Sequence, residues 1–116
     1  MRAVEQALVA LLRNAFEASD SRSEVRLLAR RCGEAIQFVV SDRGKGMSHE
    51  TLRRIGEPFF TTKEPGKGMG LGTFLVRTLA EQLGGRLTFE SAPGEGTTAT
   101  FELPVAPKGE PAYSHD

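Results

Sequence analysis

Cysteine is almost absent from the 116-residue chain, and tryptophan is missing altogether. A single thiol, Cys32, cannot form an internal disulfide, and beside Gly33 at a predicted strand end it is interpreted as structural, in a reducing compartment. The two histidines, His49 and His115, are far apart in the sequence and have no second cysteine with them. A zinc site of cysteine and histidine ligands is therefore not expected.

Charge of one sign is also lacking, because 15 basic residues balance 15 acidic residues. A net charge of zero gives no electrostatic reason to expect binding to nucleic acid or to a membrane surface. No apolar run approaches the roughly 20 residues that span a bilayer, and no signal-peptide pattern is present. The length suits one domain with a modest core.

Two common nucleotide-binding motifs are missing. The chain has no G-x-x-x-x-G-K-[ST] loop, and no G-x-G-x-x-G follows a strand and opens a helix. What it does have is Lys67 followed by Gly68, Met69, Gly70, Leu71 and Gly72, directly before a predicted helix. A helix start attracts anions, and glycines let a phosphate approach the backbone closely. A merely flexible loop is the alternative interpretation of these glycines.

Apolar periodicity predicts the order α-β-β-α-α-β-β. Two hairpins and three helices suit a two-layer α+β sandwich, in which helices cover one face of a mixed or mostly antiparallel sheet. A frayed tail is expected over 105–116, after a domain over 1–104. The predicted elements are helices over 2–18, 49–55 and 73–83 and strands over 24–31, 35–41, 86–91 and 97–103.

Two polar residues stand out against this pattern. Asn14 lies at the edge of the apolar stripe of the first helix, beside small residues such as Ala10. Its amide is either a functional group on a flank free of bulky side chains or simply solvated. Asp42 continues the inward-facing alternation of Phe38 and Val40, so its carboxylate needs a hydrogen-bond donor. It either caps the next turn or accepts from a ligand amine, and Gly44 and Gly46 are expected to leave space beside it.

The segment over 56–68 contains two prolines and three glycines, which exclude regular structure. Such a long loop in a compact domain is usually functional or disordered. Phe59 and Phe60 need a surface to pack against, which favours a mobile lid over plain disorder. Lys63 and Lys67 are then candidate phosphate contacts, with simple solvation as the alternative for each.

The ordered motifs resemble the ATP-binding domain of sensor histidine kinases, within the wider superfamily of gyrase, Hsp90 and MutL ATPases. The resemblance covers residues 1 to about 104 and implies the Bergerat-type version of the sandwich. The segments that carry it are Asn14-Ala15, Asp42 to Met47, Glu57 to Lys63, Gly68 to Gly72 and Gly96-Thr97.

The resemblance implies a role for each motif. Asn14 would bind Mg²⁺, which prefers oxygen ligands and substrate phosphates. Asp42 would accept from the adenine amino group, with Thr97 in the same water network, although Thr97 could equally be a plain strand residue. The remaining residues implied to contact ATP are Gly44, Gly46, Lys63, Lys67, Gly68, Met69, Gly70, Leu71 and Gly72.

The implied function is that of a kinase catalytic domain, which presents the γ-phosphate of ATP to a histidine on a separate dimerisation domain. The phospho-acceptor would lie outside this chain, so no catalytic residue is assigned within it. A response regulator would act downstream, and the isolated domain is expected to be a cytoplasmic monomer. The parent kinase is either soluble or membrane-anchored, and a nitrogen- or redox-type subgroup is suggested.

One position departs from the family pattern. Ala10 stands where histidine kinases commonly carry a second Asn and where the hydrolytic relatives carry a catalytic Glu. A methyl group cannot act as a base, which disfavours a gyrase-like hydrolase. Ala10 is also compatible with a second function, that of a nucleotide-binding regulator or of an anti-sigma-type domain that phosphorylates Ser in a partner.

Overall fold

An antiparallel sheet with helices against one face forms the fold. The structure, a computed structural model, describes residues 2–20, 23–60 and 71–105. The predicted order of elements is confirmed, and the ends differ from the prediction by at most two residues. The elements are α1 (Arg2–Ala18), β1 (Arg26–Cys32), β2 (Ala35–Asp42), α2 (His49–Arg54), α3 (Gly72–Gln82), β3 (Arg86–Ser91) and β4 (Thr97–Pro104).

The four strands lie in the order β1-β2-β4-β3, and each neighbouring pair is antiparallel. The α+β sandwich is therefore confirmed, with no parallel pair among the strands of the described residues. Ser48 is the N-cap of α2, because its side chain accepts a hydrogen bond from the Thr51 N–H. None of the helices in the described ranges is long and apolar enough to cross a bilayer.

The core lies between the helices and the inner face of the sheet. Ala7, Leu11 and Ala15 recur every four residues along α1 and are all buried. From the other side the central strands contribute alternate residues, among them Phe101, which is 0% exposed. The other buried members are Val40, Val76, Ala80 and Ala99.

Two large apolar residues of the helices point away from this core. Leu75 is 59% exposed, because α3 packs through Val76 and Ala80 instead. A neighbouring position is turned about 100° around a helix, so contact through Val76 carries Leu75 outward. Phe16 is 62% exposed and lines a groove of about 400 Å³ on α1. Strand β1 is exposed along its whole length.

Cys32 and His49 are both exposed. The Cys32 Sγ lies 3.4 Å from the Gln37 Oε1 on the neighbouring strand. Its expected structural role is therefore limited to this surface contact, because the side chain is not packed in the core. His49 is the first residue of α2.

The turn between β3 and β4 packs against the loop that follows β2. The Gly94 N–H donates to the Lys45 carbonyl at 2.7 Å, which joins the two loops directly. Gly96 has a φ of +76°, and a Cβ there would collide with the Asp42 carbonyl oxygen. Glycine is thus required at position 96 both for its backbone angle and for its lack of a side chain.

We expect Gly96→Ala to destabilise the domain far more than Gly94→Ala. Gly94 has a similar φ of +78°, but a Cβ there meets no described atom within 4 Å. Gly94→Ala should therefore cost about 1 kcal/mol for the left-handed backbone alone, whereas Gly96→Ala adds an overpacking cost of about 1–3 kcal/mol. Urea unfolding of both variants measures the difference. Equal losses in the free energy of unfolding would show that the close contact between position 96 and the Asp42 carbonyl does not affect stability.

Candidate functional site

Three polar side chains lie side by side at one end of the sheet, on three neighbouring strands. Asp42 of β2 is paired with Thr97 of β4, and Thr97 is paired in turn with Ser91 of β3. All three are partly buried. Two residues before Asp42 is the buried Val40, so the row continues the core-facing alternation of the strands. The side chains therefore lie on the helix-covered face, at the end of the core.

Asp42 performs the turn-capping role that the sequence left open. Its Oδ1 accepts a hydrogen bond from the Gly44 N–H at 2.8 Å, which shapes the loop after β2. A carboxylate has a second oxygen and further lone pairs, so capping leaves acceptor capacity for a ligand. The two interpretations are compatible, and acceptance from a ligand amine stays a prediction.

Ser91 connects the two loops beside this row. Its Oγ accepts from the Met47 N–H at 2.8 Å, donates to the Gly96 carbonyl at 2.8 Å and lies 2.8 Å from the Thr97 Oγ1. Ser91 is not among the residues that the sequence motifs indicate. The available signal was the one that identified Asp42, namely a polar residue that continues the inward alternation of Leu87 and Phe89.

The reason for Gly44 and Gly46 differs from the one expected. A Cβ on Gly44 would collide with the Ala18 carbonyl oxygen, and one on Gly46 would collide with the Ala92 carbonyl oxygen. Protein backbone thus occupies the position that a Cβ would take at either glycine, and open space for a ligand beside Asp42 stays a prediction. The Lys45 N–H also donates to the Ala18 carbonyl at 3.2 Å. The loop after Asp42 is therefore held against the end of α1.

Asn14 joins α1 to α3. Its Nδ2 donates to the Thr73 Oγ1 at 3.2 Å, and the residue is partly buried. Thr73 lies in the first turn of α3, so the Asn14 amide is beside the start of that helix. Asn14 is also one helical turn, about 6 Å, before Ala18. Helix α1 therefore contacts both the start of α3, through Asn14, and the loop after Asp42, through Ala18.

The start of α3 is suited to an anion. Its N-cap is Leu71, which makes no side-chain hydrogen bond to the first backbone N–H groups of the helix. A Cβ on Gly72 would meet no atom of the described residues within 4 Å. The other predicted contacts lie outside the described residues, namely Lys63, Lys67, Gly68, Met69 and Gly70.

The described residues offer few protein ligands for a metal ion near Asn14. Among residues 2–20, 23–60 and 71–105, no group of three or more His, Cys, Asp or Glu side chains is placed to hold an ion. Asn14 offers one amide oxygen. This donor set fits Mg²⁺ carried by a nucleotide, because that ion commonly keeps waters and substrate phosphates as its other ligands.

Comparison with known proteins agrees with this geometry. The sensor histidine kinase ZraS of Klebsiella oxytoca is 41% identical over 103 residues, which are 88% of this chain and 22% of ZraS. The catalytic domain of the histidine kinase ThkA superimposes with a TM-score of 0.78 at 29% identity, over 89% of this chain and 66% of that one. Full-length ShkA in complex with AMPPNP gives 0.78 at 29% identity, over 88% and 21%.

The chain spans between 15% and 28% of the length of the curated relatives it matches. The family described as "Histidine kinase-, DNA gyrase B-, and HSP90-like ATPase" matches residues 1–107 of the 116. The match includes α1 with Asn14, the loop after Asp42 and the start of α3. The chain therefore belongs to the family of histidine kinase-, DNA gyrase B- and HSP90-like ATPases.

Proposed function

We propose that this chain is the ATP-binding catalytic domain of a sensor histidine kinase. The observation that carries the proposal is the placement of α1, which contacts the loop after Asp42 at one end and the start of α3 through Asn14. We infer that the acceptors at the strand ends and the anion-binding helix start lie along one groove. Such a groove suits a molecule with a polar base and a phosphate chain.

The base end is assigned to Asp42 and Thr97. We infer that the Asp42 carboxylate accepts from the adenine amino group and that Thr97 joins it from the neighbouring strand. Gly44, Gly46 and Gly96 act through the backbone, because their close packing holds the loop that positions Asp42. The related ShkA was solved in complex with AMPPNP, which supports a nucleotide at this site.

The phosphate end is assigned to the start of α3 and to Asn14. Backbone N–H groups at Leu71 and Gly72 would face the phosphates, together with Gly68, Met69, Gly70 and the lysines Lys63 and Lys67. Asn14 would hold Mg²⁺ through its amide oxygen. When bound, the ion neutralises the phosphate charge, and phosphoryl transfer depends mainly on such positioning and neutralisation.

The phospho-acceptor is proposed to be a histidine on a separate dimerisation domain, with a response regulator acting downstream. We also propose a catalytic domain over 1–104, a tail over 105–116 and a cytoplasmic location. Ala10 is packed against the core cluster, so its position offers no base to activate water. This supports a kinase over a gyrase-like hydrolase. A Ser-phosphorylating regulator remains the second candidate, because Ala10 also removes one potential metal contact.

Transfer to an added partner tests the kinase assignment. We expect the isolated chain to bind ATP and Mg²⁺ without labelling itself, and to label a His-containing dimerisation domain supplied separately. The measurement is acid-labile incorporation of radioactive phosphate, with the acceptor His→Ala as the control. Phosphate on this chain alone, or steady ATP hydrolysis without a partner, would contradict the proposal.

Asp42→Asn should weaken ATP binding while leaving the fold intact. The Asn oxygen can still accept from the Gly44 N–H, but the loss of one charged acceptor for the adenine amine should cost about 1–3 kcal/mol. Calorimetric titration with ATP measures the change. Glu24→Gln is a matched control, since Glu24 lines the cleft beside Asp42 without belonging to the row of strand ends. An equal loss of ATP affinity in both variants would show that Asp42 does not contact the nucleotide.

Gly72→Ala should weaken ATP binding without destabilising the fold. Because a Cβ there meets open space in the described structure, alanine should raise helix stability by up to about 1 kcal/mol. The same methyl group would obstruct phosphates that approach the start of α3. We expect the affinity for ATP to fall at least about tenfold while the affinity for adenosine is unchanged. A variant that binds ATP normally would contradict a phosphate site at this helix.

A further inference from the structure

We infer that Ser91 sets the hydrogen-bond polarity of the base pocket and thereby selects a 6-amino purine over a 6-oxo purine. The inference rests on the proposed function, because it places the base beside Asp42 and Thr97. Ser91 is a positioning residue, since it acts through the Thr97 hydroxyl. Its effect follows from counting the protons available around one oxygen atom.

Ser91 has one hydroxyl proton and two lone pairs. The Met47 N–H can only donate, so at 2.8 Å it occupies one lone pair of the Ser91 Oγ. The Gly96 carbonyl can only accept, so at 2.8 Å it takes the single Ser91 proton. Both partners are backbone groups whose roles cannot be reversed.

This assignment decides the third contact. The Thr97 Oγ1 lies 2.8 Å from the Ser91 Oγ, and distance alone allows either atom to be the donor. Since the Ser91 proton is already committed to Gly96, Thr97 must donate its own proton into the remaining Ser91 lone pair. The Thr97 oxygen then keeps two lone pairs and has no proton left for any other partner.

Two consequences follow for the neighbouring strand end. Thr97 is paired directly with Asp42, and a free hydroxyl there would tend to donate to the carboxylate. With its proton held by Ser91, Thr97 leaves the Asp42 carboxylate available to a ligand. The edge of the pocket formed by Asp42 and Thr97 then presents acceptors only.

An acceptor-only edge discriminates between purines. The 6-amino group of adenine has two N–H donors, which match the two acceptors directly or through a bridging water. Hypoxanthine has an oxygen at the same position, and its one donor on this edge is the neighbouring N1–H. In direct contact, that oxygen would face the Asp42 carboxylate and the Thr97 lone pairs as acceptor against acceptor. A site built to receive donors rejects the analogue that lacks them, because its own polar groups are left unpaired.

The test compares ATP with ITP, which differ only at the purine 6-position and the adjacent ring nitrogen. In the intact chain, calorimetry should give much tighter binding of ATP. Ser91→Ala frees the Thr97 proton, so the ratio of ATP to ITP affinity should fall about tenfold. Ser91→Thr, which keeps the hydroxyl, should preserve the ratio. Thr88→Ala is the matched control, since it removes a hydroxyl from the outer face of the same strand.

A purely structural role of Ser91 would weaken both nucleotides equally and leave the ratio unchanged, which would overturn the inference. Thr97→Val provides a second measurement that does not depend on how Ser91→Ala folds. If Thr97 is an acceptor, its loss weakens ATP more than ITP and the ratio falls. A rise in the ratio would show that Thr97 donates. Failure of the unmodified chain to bind ATP would overturn the proposed function as well.

Discussion

The register between β2, β4 and β3 is the constraint on which the rest of the structure depends. It places Phe101 at the centre of the core with 0% exposure, and it places Asp42, Thr97 and Ser91 in one row at the strand ends. Side chains alternate along a strand, so a slip of one residue would turn both sets to the opposite face. Burial of the core and assembly of the polar row therefore follow from the same pairing.

Close backbone packing extends this constraint to the loops. The loop after Asp42 lies between the end of α1 and the β3–β4 turn, and glycines at 44, 46 and 96 permit the contact with backbone carbonyls on both sides. Ser91 adds hydrogen bonds to both loops. The polar row is thus held by rigid strands and by loops with little room to shift, which is the preorganisation that a selective binding site requires.

The start of α3 is held differently. Small residues on α1 and α3 let the two helices pack closely over the sheet, and among the described residues Asn14 and Thr73 provide a polar contact between them. An Asn at the edge of an apolar stripe would ordinarily be solvated. The hydrogen bond to Thr73 instead places it beside the first turn of α3. The family match covers Asn14, the start of α3 and the strand ends alike.

The sequence alone determined the order of the elements, since apolar periodicities of 3.6 and 2 and the turn residues are local signals. It also identified Asp42 and Asn14, because a polar residue that interrupts or borders an apolar pattern is visible without coordinates. Only the tertiary structure decided that Leu75 and Phe16 face outward, since the rotation of a helix depends on what it packs against. It likewise revealed Ser91 and the reason for Gly44 and Gly46. Those roles depend on atoms that are distant along the chain, and no local pattern specifies which backbone carbonyls will lie opposite them.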